Sequence, residues 1–135
     1  LGQSNLLVGE VSSTSANSVS IDVAGNKISV PKDRAEKHSG KIAVGFRPEK
    51  ATFHTKKPTA KSDTNVIGPG EILDIRFTGV SNQYLIEVPN LGNITVFAQN
   101  MGQSPVIELG EKVWISWSVD HSFGLADLPA GNEEE

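Results

Sequence analysis

One segment, VSIDVAGNKISV from Val19 to Val30, constrains the fold of this chain more than any other. Apolar residues alternate with polar ones on both sides of Gly25 and Asn26, and such alternation is typical of a strand with one buried face. A Gly-Asn pair between two such runs predicts a β-hairpin that turns at these two residues. Pro31 follows and has no N–H to donate, so we expect the second strand to end there.

The rest of the chain repeats this pattern of short apolar runs separated by Gly, Pro and Asn. Further runs lie at Leu6–Val11, Ile42–Phe46, Ile72–Phe77, Tyr84–Val88, Ile94–Ala98 and Val113–Trp117. In the last run Val113, Ile115 and Trp117 fall on one face of the predicted strand. Lys32–Gly40 is polar and predicts either a loop or one helical turn. Many short strands without a convincing helix predict an all-β barrel with at most short helical turns.

A polar connector divides the chain. Lys56–Thr64 reads KKPTAKSDT, and such a composition is typical of a linker or a long loop. Shortly after it, the GPGEI segment predicts a turn at Pro69 and Gly70. The predicted division is a first β segment at 5–56, a linker or long loop at 57–65, a second β segment at 66–127, and an acidic tail at 128–135 that we expect to be disordered.

The composition excludes several classes of protein. The chain has 12 Lys and Arg against 16 Asp and Glu, which gives a formal charge of −4 and argues against a dedicated nucleic-acid binder. There is no cysteine, which removes disulfides, thiolate zinc sites and a cysteine nucleophile. No apolar run approaches the roughly 20 residues that span a bilayer, so we expect no insertion into a membrane.

No pattern for catalysis, cofactor binding or metal binding is present in the sequence. GPGEI lacks the lysine of a phosphate-binding loop, and no Gly-x-Ser-x-Gly elbow frames any serine. His38, His54 and His121 are far apart, without the paired spacing of metal ligands. We therefore expect no catalytic, cofactor or metal site in this chain, and no enzymatic activity of its own. Because the only methionine is Met101, we interpret the chain as a piece of a longer protein.

The strand at Ile42–Phe46 is followed by Arg47-Pro48-Glu49. Residues two apart in an extended chain point to the same side, and Pro48 keeps Arg47 extended. Arg47 and Glu49 therefore predict either an ion pair at the end of a strand, worth about 0–1 kcal/mol, or a contact point for another domain.

Four segments in order resemble one known family: SNLLVGEV, VGFRPEKATF, GEILDIRFTGVSNQYLIEVPNLGNITVFAQN and LGEKVWISWSVDHSFGL. Together they resemble the C-terminal transport-associated OB (TOBE) domain of the ATP-binding subunits of bacterial ABC importers, and they are most similar to the polyamine (spermidine/putrescine) type. The resemblance implies small OB-like β-barrels, possibly two with interleaved segments. It identifies Arg47, Pro48 and Glu49 with the family's marker, and Asp120 and His121 with its closing segment, and it implies a structural or interface role for them.

The resemblance also implies a function and a set of partners. A preceding ATPase domain would bind ATP and magnesium and make the whole subunit a transport ATPase, whereas this chain would hold the ATPase dimer together and receive regulatory signals. The implied partners are its own ATPase domain, a second copy of the subunit and, through the ATPase domain, the membrane permease subunits. The implied location is the cytoplasmic face of the bacterial inner membrane, without direct insertion.

Two alternatives remain open from the sequence. A sensor domain of such a transporter would bind a polyamine through carboxylates and an aromatic face, and the residues that would serve are Asp74, Glu87 and Trp117. An OB-type module that binds nucleic acid is the other alternative, although the negative charge argues against it.

Overall fold

The computed structural model describes residues 4–59, 61–79, 81–99 and 108–129. Within these ranges the chain forms ten strands and three single 3₁₀ turns, without an α-helix. The strands are β1 (Asn5–Thr14), β2 (Ser18–Val23), β3 (Asn26–Pro31), β4 (Lys41–Phe46), β5 (Ala51–His54), β6 (Thr64–Phe77), β7 (Ser81–Val88), β8 (Gly92–Gln99), β9 (Lys112–Ser118) and β10 (Phe123–Leu125). The turns are η1 (Lys32–Arg34), η2 (Pro48–Lys50) and η3 (Val119–His121). The predicted all-β fold is confirmed.

The strands form two five-stranded antiparallel sheets. The first sheet has the order β10-β4-β1-β2-β3 and the second has the order β5-β9-β6-β7-β8. Each sheet therefore takes one strand from the other half of the chain, because β10 pairs with β4 and β5 pairs with β9. This exchange confirms the predicted interleaving. The division of the chain at 57–65 stays a prediction, and β6 begins inside that connector at Thr64.

The two sheets have the same order of strands, which makes the fold an internal duplication. Strands β1 to β4 occupy the positions in the first sheet that β6 to β9 occupy in the second, and the exchanged strands β10 and β5 lie at the same edge. The register of pairing also matches: Asn5↔Phe46 corresponds to Asn65↔Trp117, Leu7↔Val44 to Ile67↔Ile115, and Gly9↔Ile42 to Gly70↔Val113. We refer to residues 4–54 and 64–125 as the first and second repeats.

The core contains the inward faces of both sheets. Val113, Ile115 and Trp117 are almost completely buried, as the alternation in β9 predicts. At the centre Trp117 stacks on Phe46, with ring centroids 3.7 Å apart and an angle of 10° between the planes. Other apolar residues with no exposed surface include Val19, Ile21, Ile28, Val30, Ile42, Val44, Ile86 and Val96. Both repeats therefore contribute to one continuous core.

The first hairpin turns one residue earlier than predicted. Val23 pairs with Asn26, so the loop consists of Ala24 and Gly25 rather than Gly25 and Asn26. Both loop residues have positive φ, 50° and 89°, which is the type I′ geometry that matches the twist of paired strands. The rest of the hairpin is as predicted, and β3 ends at Pro31.

The predicted turn at Pro69 and Gly70 is wrong, because both residues lie inside the long strand β6. The register with β9 shifts between Ile67 and Gly70, which identifies a bulge in place of a turn. A Cβ atom on Gly70 would lie 2.9 Å from the carbonyl oxygen of Glu87. Glycine is therefore required here by the close approach of β7.

Candidate functional site

The Arg47-Pro48-Glu49 segment forms the corner between β4 and β5. Arg47 is extended, with φ −84° and ψ 145°, and the 3₁₀ turn η2 begins at Pro48. The predicted ion pair is confirmed: Arg47 Nε donates to Glu49 Oε2 over 2.7 Å, with side chains that are 47% and 43% exposed. The hydrogen bond from Arg47, together with a backbone hydrogen bond, lowers the pKa of the Glu49 carboxyl from its ordinary value. Pro48 is buried and fixes the corner.

Asp120 and His121 lie in η3, which occupies the same place in the second repeat as η2 in the first. The backbone N–H of Asp120 donates to Ser118 Oγ over 3.3 Å, and its carbonyl accepts from Arg34 Nη1 over 3.0 Å. Both side chains are exposed. The two segments singled out by the sequence are therefore equivalent corners, each directly after one member of the stacked pair Phe46 and Trp117.

Two asparagines that sequence reasoning missed close the sheet edges. The carboxamide of Asn5 accepts from the N–H of Thr95 and donates to its carbonyl, both over 2.9 Å. Asn65 makes the same pair of bonds to the backbone of Ser29, also over 2.9 Å. Each carboxamide replaces a neighbouring strand at the free edge of β8 or β3. Ser4-Asn5 and Thr64-Asn65 at the start of each repeat were the available signal.

Trp117 is not placed to contact a ligand, contrary to its nomination in the polyamine-sensor alternative. Its side chain is 2% exposed, and one ring face is covered by Phe46. Its indole Nε1 donates to Ser122 Oγ over 2.7 Å, and Asn65 Nδ2 donates to the same oxygen over 3.1 Å. Trp117 is buried because it lies on the inward face of β9, which packs at the centre of the core.

A first cavity, of about 360 Å³, lies beside Asn5 and Thr95. Asp74 lines it together with Arg76, and Arg76 Nε lies 3.6 Å from Asp74 Oδ2. Glu87 does not line this cavity and is paired in register with Glu71. The three residues nominated for a polyamine are therefore not brought together, and a guanidinium accompanies the one carboxylate at the cavity.

A second cavity, of about 440 Å³, lies beside Asn65 and Ser29, the equivalent place in the other repeat. Its lining includes Lys27, Lys57, Lys61 and the half-buried Trp114. No carboxylate lines it among the residues that the structure describes. The two cavities therefore share the asparagine contact and differ in the rest of their lining and in charge.

The three histidines lie on three different segments, His38 before β4, His54 in β5 and His121 in η3. A ring nitrogen of His54 lies 2.7 Å from Ser116 Oγ, and a ring nitrogen of His38 lies 3.2 Å from the Lys32 carbonyl oxygen. Among the described residues no group of three or more His, Asp or Glu is placed to hold a metal ion. No helix in the same part of the chain is long and apolar enough to cross a membrane.

Comparison with known proteins identifies the family. The model of the TOBE domain matches residues 44–125, which is more than half of the 135 residues. The chain belongs to the TOBE domain family. Its match begins within β4 and ends with β10, so the matched region includes both corners and both of the exchanged strands.

Curated relatives of this TOBE chain are import proteins. It is 28% identical over 127 residues to the spermidine/putrescine import ATP-binding protein PotA of Thermobifida fusca, covering 93% of this chain and 32% of the relative. It is 26% identical over 125 residues to PotA of Rubrobacter xylanophilus, with the same coverage of 93% and 32%. The TOBE chain thus spans about a third of the length of these relatives.

A solved structure confirms the fold. The cytoplasmic molybdate-binding protein ModG, in a form with molybdate bound, superposes with a TM-score of 0.79 at 13% sequence identity. The match covers 94% of this TOBE chain and 99% of ModG. The likeness extends over nearly all of both chains and shows that they share the fold.

Proposed function

We propose that this chain is the non-catalytic TOBE domain of the ATP-binding subunit of an ABC importer for polyamines, and that it holds two subunits together and regulates them. The observation that carries the proposal is the alignment of 93% of this chain with 32% of PotA of Thermobifida fusca. The remaining two thirds of such a relative leave room for an ATPase domain with its ATP and magnesium. This chain then supplies no step of ATP hydrolysis.

The fold suits a module that keeps two subunits associated while a nucleotide interface opens and closes. Such a module must move as one body, because it biases the equilibrium between two states only through contacts that differ between them. The exchange of β5 and β10 joins both halves of the chain in each sheet. The stack of Phe46 on Trp117 joins the two repeats at the centre.

The two corners are the proposed contact points. Arg47 and Glu49 at one corner, and Asp120 and His121 at the other, are charged or polar side chains exposed to solvent on short rigid turns. Pro48 is buried at the first corner and begins its 3₁₀ turn. In this proposal the partners are the chain's own ATPase domain and a second copy of the subunit in a homodimer. The permease subunits are reached through the ATPase domain, at the cytoplasmic face of the membrane.

Neither alternative from the sequence gains support from the geometry. The first cavity offers a polyamine one carboxylate, Asp74, with Arg76 beside it, and the second offers Lys27, Lys57 and Lys61. In the first cavity the Arg76 guanidinium offsets the attraction of Asp74 for a polycation, and in the second cavity the lysine ammonium groups repel a polycation. For nucleic acid, the net charge of −4 opposes binding to a phosphate backbone.

The test uses the full-length gene product that contains this chain, with and without residues 5–127. Both forms are reconstituted with the permease subunits in proteoliposomes, and ATP hydrolysis and polyamine uptake are measured together with dimer mass in the absence of nucleotide. We expect the deletion to abolish the nucleotide-free dimer and to reduce uptake, while the ATPase domain still binds ATP.

A full set of dimers and unchanged uptake after the deletion would refute the dimerisation role. Hydrolysis of ATP by the isolated 135-residue chain after stringent purification would refute the non-catalytic assignment. The matched control is the full-length protein with Lys112→Gln, a change of charge on an exposed side chain outside both corners, for which we expect normal dimers and uptake.

A further inference from the structure

We propose that the second cavity binds a small phosphorylated anion with two or more negative charges. The cavity has a volume of about 440 Å³, within the range of roughly 300–1,000 Å³ that is typical of small-molecule sites. This inference does not depend on the proposed role in an importer, because it rests on the side chains that line the cavity.

Positive charge is concentrated at this cavity. Lys27 reaches it from β3, and Lys57 and Lys61 reach it from the segment before β6. The chain as a whole has a formal charge of −4, so three lysines around one cavity run against the overall balance. Ammonium groups close together repel one another, and a bound anion relieves that repulsion.

Two carboxylates lie near these lysines in pairing or in sequence, and neither forms an ion pair with them among the described residues. Asp22 is paired in register with Lys27, but its Oδ1 accepts from the N–H of Gly25 over 2.8 Å. Asp63 Oδ1 accepts from Thr64 Oγ1 over 3.0 Å. Within the described ranges, no carboxylate oxygen lies within 4 Å of the nitrogen of Lys27, Lys57 or Lys61. Their charges are therefore available to a ligand.

Neutral hydrogen-bond donors surround the same space. Ser29, Ser62 and Trp114 also line the cavity, and within the described part of the chain their hydroxyls and indole N–H donate to no other residue. Two bonds of 2.9 Å to Asn65 fix the Ser29 backbone, from which the hydroxyl extends. Phosphate oxygens accept from lysine, hydroxyl and N–H donors alike.

The internal duplication allows one part of the cavity to be compared between the two repeats. The first cavity shares one feature with the second, the asparagine contact, with Asn5 and Thr95 in the places of Asn65 and Ser29. The rest of its lining comes mainly from β6 and β7. Its charged residues are Asp74 and Arg76, which offset each other. The same asparagine contact thus forms in the first repeat without a lysine beside it, so Lys27, Lys57 and Lys61 are not required to hold Asn65 against Ser29.

The shared chemistry of the ligand is a chain of phosphate groups, which an inorganic polyphosphate or a nucleoside triphosphate can supply. Trp114 distinguishes the two sources, because its half-buried indole lines the cavity and offers a face on which a base can stack. A free anion fits better than a nucleic-acid strand, since the lysines border one cavity and the chain is acidic overall.

The experiment titrates the 135-residue chain with tripolyphosphate, ATP and a single-stranded oligonucleotide at low ionic strength, by calorimetry and by tryptophan fluorescence. We expect tripolyphosphate to bind and to change the emission of Trp114. The triple variant Lys27→Gln, Lys57→Gln, Lys61→Gln should weaken binding by about tenfold or more. The control variant Lys32→Gln, Lys41→Gln, Lys112→Gln removes the same charge elsewhere and should retain the affinity. Circular dichroism confirms that both variants fold.

The ATP arm assigns the source. Tighter binding of ATP than of tripolyphosphate, lost in Trp114→Leu, supports a nucleoside triphosphate, and equal binding of the two supports an inorganic polyphosphate. Three results would overturn the proposal: no heat or emission change at millimolar tripolyphosphate, an equal loss of affinity in the two triple variants, or binding only of the oligonucleotide.

Discussion

Phe46 and Trp117 stack face to face at the centre of the molecule, with centroids 3.7 Å apart, and they occupy equivalent positions at the ends of β4 and β9. Each ring thus covers its counterpart from the other repeat. Because an offset or stacked aromatic pair adds to the free energy of burial, this contact couples the two repeats where they meet.

Phe46→Ala is expected to lower the free energy of unfolding by about 3–5 kcal/mol, since it removes a fully buried ring and exposes a face of Trp117 to a void. Guanidinium denaturation monitored by circular dichroism measures the change. Phe77→Ala is the matched control: that ring is 74% exposed, and its loss should cost no more than about 0.5 kcal/mol. Equal losses in the two variants would contradict the central role of the stack.

Asn65→Ala is expected to leave the N–H and carbonyl of Ser29 without partners. Each backbone group that stays buried and unpaired costs about 1–3 kcal/mol, and the loss should appear in denaturant unfolding. Amide hydrogen exchange is the specific measurement, because the Ser29 N–H should lose protection while the amides of β9 keep theirs. Asn93→Ala, at an exposed position, should alter neither. An unchanged exchange rate at Ser29 would contradict the pair of hydrogen bonds between the Asn65 carboxamide and the Ser29 backbone.

The pKa of Glu49 should lie below its ordinary value of 4.5 and should rise toward it in Arg47→Gln. Because the folded-state pKa is depressed, the contribution to stability is fully present above the unfolded-state pKa and is lost as pH falls through the folded-state pKa. Carboxyl chemical shifts in an NMR titration measure this directly. The pair is half exposed, so a double-mutant cycle should give a coupling of only about 0–1 kcal/mol. A Glu49 pKa that is the same in both proteins would contradict the contact.

Gly9→Ala and Gly70→Ala should destabilise the fold by similar amounts. A Cβ on Gly9 would lie 2.6 Å from the carbonyl oxygen of Asp22, and one on Gly70 would lie 2.9 Å from that of Glu87. Relieving such contacts requires the neighbouring strand to move, at a cost of about 1–3 kcal/mol. Thermal and denaturant unfolding measure the loss, with exposed Ser13→Ala as the control on β1. A neutral effect at either glycine would show that the strand gives way easily.

Much of the fold was predictable from local patterns. The alternation around Val19–Val30 and Val113–Trp117 identified strands and their buried faces, because the period of two is a property of the strand itself. The turn at Ala24 and Gly25 was misplaced by one residue, since a type I′ loop depends on φ at both positions. The bulge at Gly70 was taken for a turn because the need for glycine there arises from a neighbouring strand, which local sequence does not reveal.

The site was predictable only in part. The ion pair of Arg47 and Glu49 was correct because it is local, whereas Trp117 was nominated as a ligand contact without knowledge of what covers its ring. The hydrogen bonds of the Asn5 and Asn65 carboxamides were missed, since each side chain bonds to a strand of the other repeat. The available signal of the duplication was an asparagine with a Gly-Glu pair shortly after it. It occurs as Asn5 with Gly9-Glu10 and as Asn65 with Gly70-Glu71.

The exchange of β5 and β10 means that a cut at the connector would not release two complete halves. A fragment ending near Thr59 would carry β5 without the sheet to which it pairs and would lack β10, and the complementary fragment would have the opposite defect. The two pieces would each expose one aromatic ring of the central stack until they met. If the two fragments were expressed separately, each would supply the strand that the other lacks. The fold therefore depends more on this exchange of strands than on an intact peptide bond in the connector.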